Sequence, residues 1–419
     1  MGSYWPTISK KCILCSEVFL KGGLPMSTGL YKGKFFECFG IIYDKRQPEK
    51  VKHSLIDVLF IIVAATFCRI DELEGIYYWA KAKQNEDWLN KYVDLKEGVP
   101  SLSTIRRIMN WIDPKQFEKC FISWVSEMTV FSKDGGDTVA IDGKSMRGSR
   151  NGNKVSHIVS AWCSANNLVL GQVKTDVKSN EITAIPELLD LLYLKGCVVT
   201  IDAMGCQKKI VKKIVKEKEA DYVIGLKGNQ GTLHDEVINY FEDLQKDGEL
   251  KKTEKGESQN GKIEMIETID KGHGRLELRK YYYSTDIDWM VDAKKDWFGL
   301  TGIGMIHRKS TEKGKITEDV RYFIGSIDNV KQFAKSAREH WGVESVHWNL
   351  DVTFRDDANK TRKDCAPENM AVAKRIGLNM VRNEKEIYTK ESANIKRLIA
   401  SCDEEYRTRV FDINFSKKK

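Results

Sequence analysis

Between residues 138 and 227 the apolar pattern switches from strand period to helix period and back, and this order constrains the fold more than any other feature. TVAID (138–142) reads as a short strand. Segments 155–163 and 168–174 read as two more, joined at Asn166–Asn167 as a hairpin. A helix follows at 184–195, with Gly196 as its stop. VVTID (198–202) is a strongly apolar strand, 207–218 is helical with Ile210 and Ile214 inward, and DYVIGLK (221–227) is a strand. The order βββ, α, β, α, β predicts an α/β mixed sheet that opens with an antiparallel meander. In such a sheet the first strand and the strand after the first helix are neighbours, so Asp142 and Asp202 at their ends meet at one edge.

The rest of the chain divides around this block. Residues 1–37 carry no clear period and stay unassigned. Residues 38–132 are helical: Leu55, Leu59, Ile62 and Val63 recur at helical spacing, and Pro100–Ser101 and Pro114 precede further helices. DNA binding and a helical cap on the next domain are both open uses. The core's first part spans 133–247, and 248–328 reads as a β-rich insertion with strands at 263–269, 276–284, 302–307 and 321–324. Its second part, 329–385, is helical, and 386–419 reads as a C-terminal tail.

Within that second part, HWGVESVHWNLDVTFRDD (340–357) places His340, Glu344, His347 and Asp351 on one helical stripe. Trp341, Trp348 and Val352 flank it on one side, and Val343, Val346 and Leu350 on the other. Polar groups between two apolar walls are expected to line a cavity, where charge must be paired or hold a metal.

Asp142 and Asp202 supply two carboxylates, and Glu344, central on the stripe, is the best third, with Asp351 next. Carboxylates this close repel unless a cation lies between them. Mg²⁺ or Mn²⁺, taking oxygen ligands and leaving room for phosphate, fits such a cluster and its phosphoryl chemistry. A zinc site from His340, Glu344 and His347 stays open, although the spacing is not HExxH. Lys144 and Arg147 follow Asp142, Lys227 and Asn229 lie in KGNQG, and Arg275 and Arg279 alternate in HGRLELR. These and His340 are the candidate DNA and phosphate contacts. Asp356 and Asp357 are expected to bind Arg355 or solvent.

The formal charge of +8 mildly favours a polyanionic partner. Ten cysteines at irregular spacing, with one CxxC at Cys12–Cys15, read as free thiols of a reducing, cytoplasmic compartment. The longest apolar run, 58–67, is too short to span a bilayer.

The motifs AIDGKSMRGS (140–149), HIVSAWCSANNLVLGQVKTDVKSNEITAIPELLDLL (157–192), VTIDAMGCQ (199–207), DYVIGLKGNQGTL (221–233) and HGRLELR (273–279) stand in one order with the late helix. GVPSLSTIRRI (98–108) precedes them. Across roughly residues 38–382 the chain resembles the H-repeat-associated transposases of bacterial insertion sequences, a DDE group with a ribonuclease-H-like core. The resemblance implies that Asp142, Asp202 and Glu344 are the metal-binding triad. It also implies double-stranded DNA as partner, at terminal inverted repeats and target, and a homodimer in a synaptic complex. The chain departs from the wider class where Ala337, His340 and Asp351 replace Tyr, Arg and Lys, and Ser345 stands where this family has Asn. Two rival readings are a DNA-binding remnant without activity and a metal-dependent nuclease on the same fold.

Overall fold

The computed structural model describes residues 33–151, 154–175, 181–255, 263–272 and 274–415, and within 146–156 the backbone alone. The unassigned residues 1–32 and the last four lie outside the described residues.

Among the described residues the strands form one nine-stranded sheet, ordered β3-β2-β1-β4-β5-β9-β8-β7-β6. β1 (Thr138–Asn151), β2 (Lys154–Cys163) and β3 (Leu168–Thr175) are the antiparallel meander. β4 (Val198–Ile201) and β5 (Asp221–Leu226) add in parallel on the other side of β1. This is the ribonuclease-H-like arrangement expected. β4 is short and buried throughout, as a strand covered on both faces must be. β1 does not stop at Asp142 as expected. Its parallel pairing with β4 ends at Ile141, while its antiparallel pairing with β2 runs on.

The β-rich insertion is no separate layer. β6 (Ile263–Gly272), β7 (Arg275–Ser284), β8 (Gly302–Glu312) and β9 (Lys315–Gly325) form an antiparallel meander whose last strand pairs with β5. The insertion therefore prolongs the core sheet through backbone hydrogen bonds.

The helical region begins with α1 (Lys34–Phe39), α2 (Leu55–Phe67), α3 (Leu73–Lys81), α4 (Lys83–Leu89), α5 (Leu102–Trp111) and α6 (Pro114–Ser126). Ser54 caps α2 by accepting the Asp57 N–H, and Ser101 caps α5 by accepting the Thr104 N–H. α2 is buried on every side. Then come α7 (Glu181–Leu191), α8 (Lys208–Lys212), α9 (Gly231–Lys246), α10 (Glu249–Glu254) and α11 (Val291–Asp296). α7 ends before Lys195, and Gly196 instead forms a left-handed turn (φ +75°) leading into β4.

The late helix is broken. α12 (Val330–His340) packs on β1, β4, β5, β6 and β7, and Trp341 separates it from α13 (Gly342–Trp348). α13 passes into a π-helical turn, Asn349–Thr353. α14 (Ala366–Asn383) then bridges the two halves of the molecule. Its Asn379 accepts the Val169 N–H (2.9 Å) and donates to the Val169 carbonyl (2.8 Å), while Glu118 of α6 accepts the Gln172 N–H. These side chains cover the backbone of the edge strand β3, which would otherwise stay open to pairing.

Within 386–419, expected as a C-terminal tail, residues 393–415 are almost wholly helical. α15 (Ala393–Cys402) and α16 (Glu404–Phe415) pack into the helical region. Phe411 and Phe415 join Phe35, Phe60 and Trp88 in one aromatic cluster. Buried Arg397 donates to Asp71 and to the Thr66 carbonyl, and its guanidinium lies 3.8 Å from the Phe354 ring centre. Sequence pattern missed these helices because their buried faces include Lys396, Arg397, Arg407 and Asn414. Among the described residues no helix is long and apolar enough to cross a membrane.

Candidate active site

Ile141 and Ile201 are the last parallel pair of β1 and β4, and the next residue on each strand is an aspartate. Adjacent strands lie about 4.8 Å apart, so Asp142 and Asp202 emerge side by side where the parallel pairing ends, at the sheet edge where open α/β sheets bind ligands. Asp202 caps the turn that follows it, accepting the N–H groups of Met204 (3.0 Å) and Gly205 (3.4 Å). The KGNQG loop after β5 supports that turn. Asn229 donates to the Ala203 carbonyl (2.7 Å) and Gln230 to the Cys206 carbonyl (2.9 Å).

Burial pushes the Asp142 carboxyl up to about 7, and the charges of Asp202, Glu181 and Glu344 push the same way against a hydrogen bond from the Gly143 N–H. Three further carboxylates therefore act on Asp142 at once. Glu344 reaches the site from α13 and is itself exposed. Glu181, at the start of α7, was not singled out from sequence. It lay inside the NEI segment of a matching motif, and only the packing of α7 brings it here.

Despite the break at Trp341, His340 meets β4 and Glu344, His347 and Asp351 act on β1, but the two walls differ. Val343, Val346 and Leu350 are buried, whereas Trp348 and Val352 are 59% and 57% exposed. α13 meets the core on one side only, so the stripe borders an open cleft rather than a closed cavity. His340 Nδ1 shares a hydrogen bond with Thr200 Oγ1 (2.9 Å), and His347 Nδ1 lies 3.5 Å from Asp142 Oδ2. Burial drives both imidazoles down to about 4, so both are neutral near pH 7. Neutral His340 brings no formal charge to a phosphate.

Lys144 is placed differently from expectation. Two positions beyond Asp142 on β1, it is buried and ion-paired to Asp351, with Asp357 (3.7 Å) and Asp356 (3.9 Å) close by. Asp356 does not turn to Arg355 or solvent. It is fully buried, and Lys374, Arg375 and Lys144 hold its carboxyl below the usual range although burial alone would raise it. Lys144 thus joins segment 351–357 to β1 and α14 instead of facing outward.

Arg279 is likewise turned inward. It is buried, pairs with Glu277 (2.8 Å) and Asp270, and lies 5.0 Å from the Trp341 ring centre. Arg321 and Arg338 approach the same indole at 5.1 and 5.9 Å. Arg275 is exposed and pairs with Glu277 at 3.1 Å. Lys227 is exposed at the end of β5. The side chain of Arg147 lies outside the described residues.

Asp142, Asp202, Glu181 and Glu344 offer only hard oxygen donors, the kind that suits Mg²⁺ or Mn²⁺. The repulsion focused on Asp142 is what a cation would relieve. Among the described residues the groups are not drawn tightly enough onto one point to form a finished coordination set. His340, Glu344 and His347 form no zinc set either.

Aspartates side by side where two parallel strands part, a glutamate from a late helix and a ribonuclease-H-like sheet are the layout expected of the DDE class of transposase domains. The chain belongs to the family described as Transposase DDE domain, which it matches over residues 133–380. Residues 36–125 match the domain described as DDE_Tnp_1-associated. Among curated proteins it is 39% identical over 386 residues to "Putative transposase YncI" of Escherichia coli O157:H7, covering 88% of this chain and 95% of that one. It is 36% identical over 361 residues to "H repeat-associated putative transposase YhhI" of Escherichia coli (strain K12), covering 84% and 91%. A 77-residue stretch is 31% identical to "Inactive transposase YbfQ" of the same strain, covering 18% of this chain and 89% of that one.

Proposed function

We propose that this chain is a divalent-metal-dependent DNA transposase, cleaving DNA at insertion-sequence ends and joining the freed 3′-OH to target DNA. The observation that carries the reading is the register of β1 and β4, which sets Asp142 and Asp202 side by side, with Glu344 acting on Asp142 from across the cleft. Asp142, Asp202 and Glu344 would hold Mg²⁺ or Mn²⁺. When bound, such ions activate the attacking hydroxyl and stabilise charge on the phosphate.

The chain's own groups do the positioning. Asn229 and Gln230 fix the turn that aims Asp202. His347, neutral against Asp142, supplies polarity without a competing cation. Exposed Lys227 and Arg275 are the phosphate contacts that retain access to solvent. The reading extends to a homodimer that pairs two ends, in the cytoplasm of a bacterium.

The test is strand cleavage and joining on DNA carrying the element's terminal repeats, with Mg²⁺. Loss of both with Asp142→Ala supports the assignment. Equal cleavage by that variant overturns it. Cleavage without joining and without preference for repeat ends selects a nuclease instead.

A further inference from the structure

Gly143 follows Asp142 on β1 and pairs in register with Val159 of β2. Its φ is not in the left-handed region, so the backbone does not require glycine there. What requires glycine is space. A β-carbon at this position would overlap the carboxyl carbon and both carboxyl oxygens of Glu181. The carboxylate of Glu181 thus lies directly on the α-carbon next to Asp142. α7, which carries it, packs against β2 and β3 and so holds its first turn over the strand.

A glutamate held there for structure alone would be expected to find a basic partner. Among the described residues no lysine or arginine pairs with Glu181. The charge of Glu181 acts on Asp142, and that of Asp202 acts on Glu181. His157, the nearby imidazole that acts on it, shares its Nε2 with Ser145 Oγ at 2.8 Å. A half-buried carboxylate set among others of like charge is stable when a cation is shared between them.

We propose that Glu181 is a fourth metal-facing carboxylate of this site, admitted to it by the missing side chain of Gly143. The inference rests on the transposase reading, because Asp142 and Asp202 must bind the same cation. Glu181 comes from α7 and so reaches the site independently of α13, which carries Glu344. Four carboxylates from β1, β4, α7 and α13 would then surround the ion, and the three that are independent of α13 would suffice to bind it without DNA.

The experiment uses the full chain and Mn²⁺, with free Mn²⁺ counted by electron paramagnetic resonance in the absence of DNA. Four variants accompany the parent: Asp142→Asn, Glu181→Gln, Gly143→Ala, and Glu187→Gln, an exposed change on α7 that leaves the site alone. Gly143→Ala keeps every charge and only displaces the Glu181 carboxylate. Both Glu181→Gln and Gly143→Ala are expected to weaken Mn²⁺ binding at least about tenfold, the scale on which even outer partners of a ligand count. Glu187→Gln should bind as the parent does. If Asp142→Asn abolishes binding while Glu181→Gln and Gly143→Ala bind normally, the inference fails and the triad reading stands. If the parent itself binds no Mn²⁺, both fail.

Discussion

Lys144 and Asp351 form an ion pair across the floor of the cleft, joining β1 to the turn that follows α13. Lys144 is buried among Asp351, Asp356 and Asp357, so removing it leaves these carboxylates facing one another without their shared cation. Breaking a buried pair on one side costs about 3–5 kcal/mol. Lys144→Ala should therefore lower the denaturation midpoint strongly, and Asp351→Ala less, since Asp356 and Asp357 remain nearby. Lys144→Met, which keeps the volume, should recover part of the loss. Chemical denaturation of the three variants measures this. A stable Lys144→Ala protein with only weakened DNA binding would show that the lysine serves phosphate after all.

The pH dependence of stability follows from Asp142. Its carboxyl sits at about 7 in the fold against 3.8 ordinarily. A raised carboxyl contributes its stability fully below the lower value and loses it as pH climbs through the higher one. Between pH 4 and 8 the metal-free protein should lose on the order of 4 kcal/mol at this residue, less what solvent in the open cleft screens. Asp57 and Glu118, raised to about 6 and about 8, act in the same sense. His340 and His347, lowered to about 4, act oppositely as pH falls below 6.5. The informative quantity is thus the difference between the parent and Asp142→Asn. Thermal melts should converge near pH 4, draw apart as pH rises to about 7 and stay apart above it, with the variant more stable, and Mg²⁺ should narrow the gap. Parallel curves at all pH values would contradict the placement of Asp142.

Much of this site was legible before the fold. The strand order put Asp142 and Asp202 together because parallel neighbours end side by side, and the helical stripe named Glu344. The polar residues around them were less legible. Lys144 and Arg279 look like phosphate ligands in sequence, since a basic residue near a carboxylate reads the same whether it faces in or out. Their burial depends on segment 351–357 and on Trp341, which are distant in the chain. Glu181 was hidden for a similar reason: its role comes from a contact with Gly143, and glycine announces a turn more readily than a cradle. The C-terminal helices escaped because their inward faces carry charge.

Those helices give the next prediction. Phe411 packs on Phe60, Phe67 and Trp88, and Phe415 on Phe35 and Trp124. Ending the chain after residue 385 uncovers this cluster and leaves Asp71 buried without Arg397. Burying a large aromatic side chain is worth about 1.5–3 kcal/mol, so losing Phe411 and Phe415, together with the Arg397 partner of buried Asp71, takes away an amount comparable with the stability of many domains. The shortened protein should lose its near-ultraviolet circular dichroism and cooperative melting. Retention of both would mean that α15 and α16 are dispensable to the helical core.

Lys227 and Asn229 lie two residues apart in one loop but should respond differently to removal. Lys227 is exposed, and its charge is available to a phosphate. Lys227→Ala should weaken DNA binding and reduce the salt slope by about 1, with little change in maximal cleavage rate. Asn229 instead donates to the Ala203 carbonyl beside Asp202. Losing that bond lets the turn carrying Asp202 relax, and an error of about 1 Å at a reacting group can cost roughly a hundredfold. Asn229→Ala should therefore leave DNA affinity and its salt slope unchanged while cleavage slows. Binding titrations at several salt concentrations, set beside single-turnover cleavage, separate the two effects. A changed salt slope in Asn229→Ala would make it a phosphate contact, and an unchanged cleavage rate would remove its positioning role.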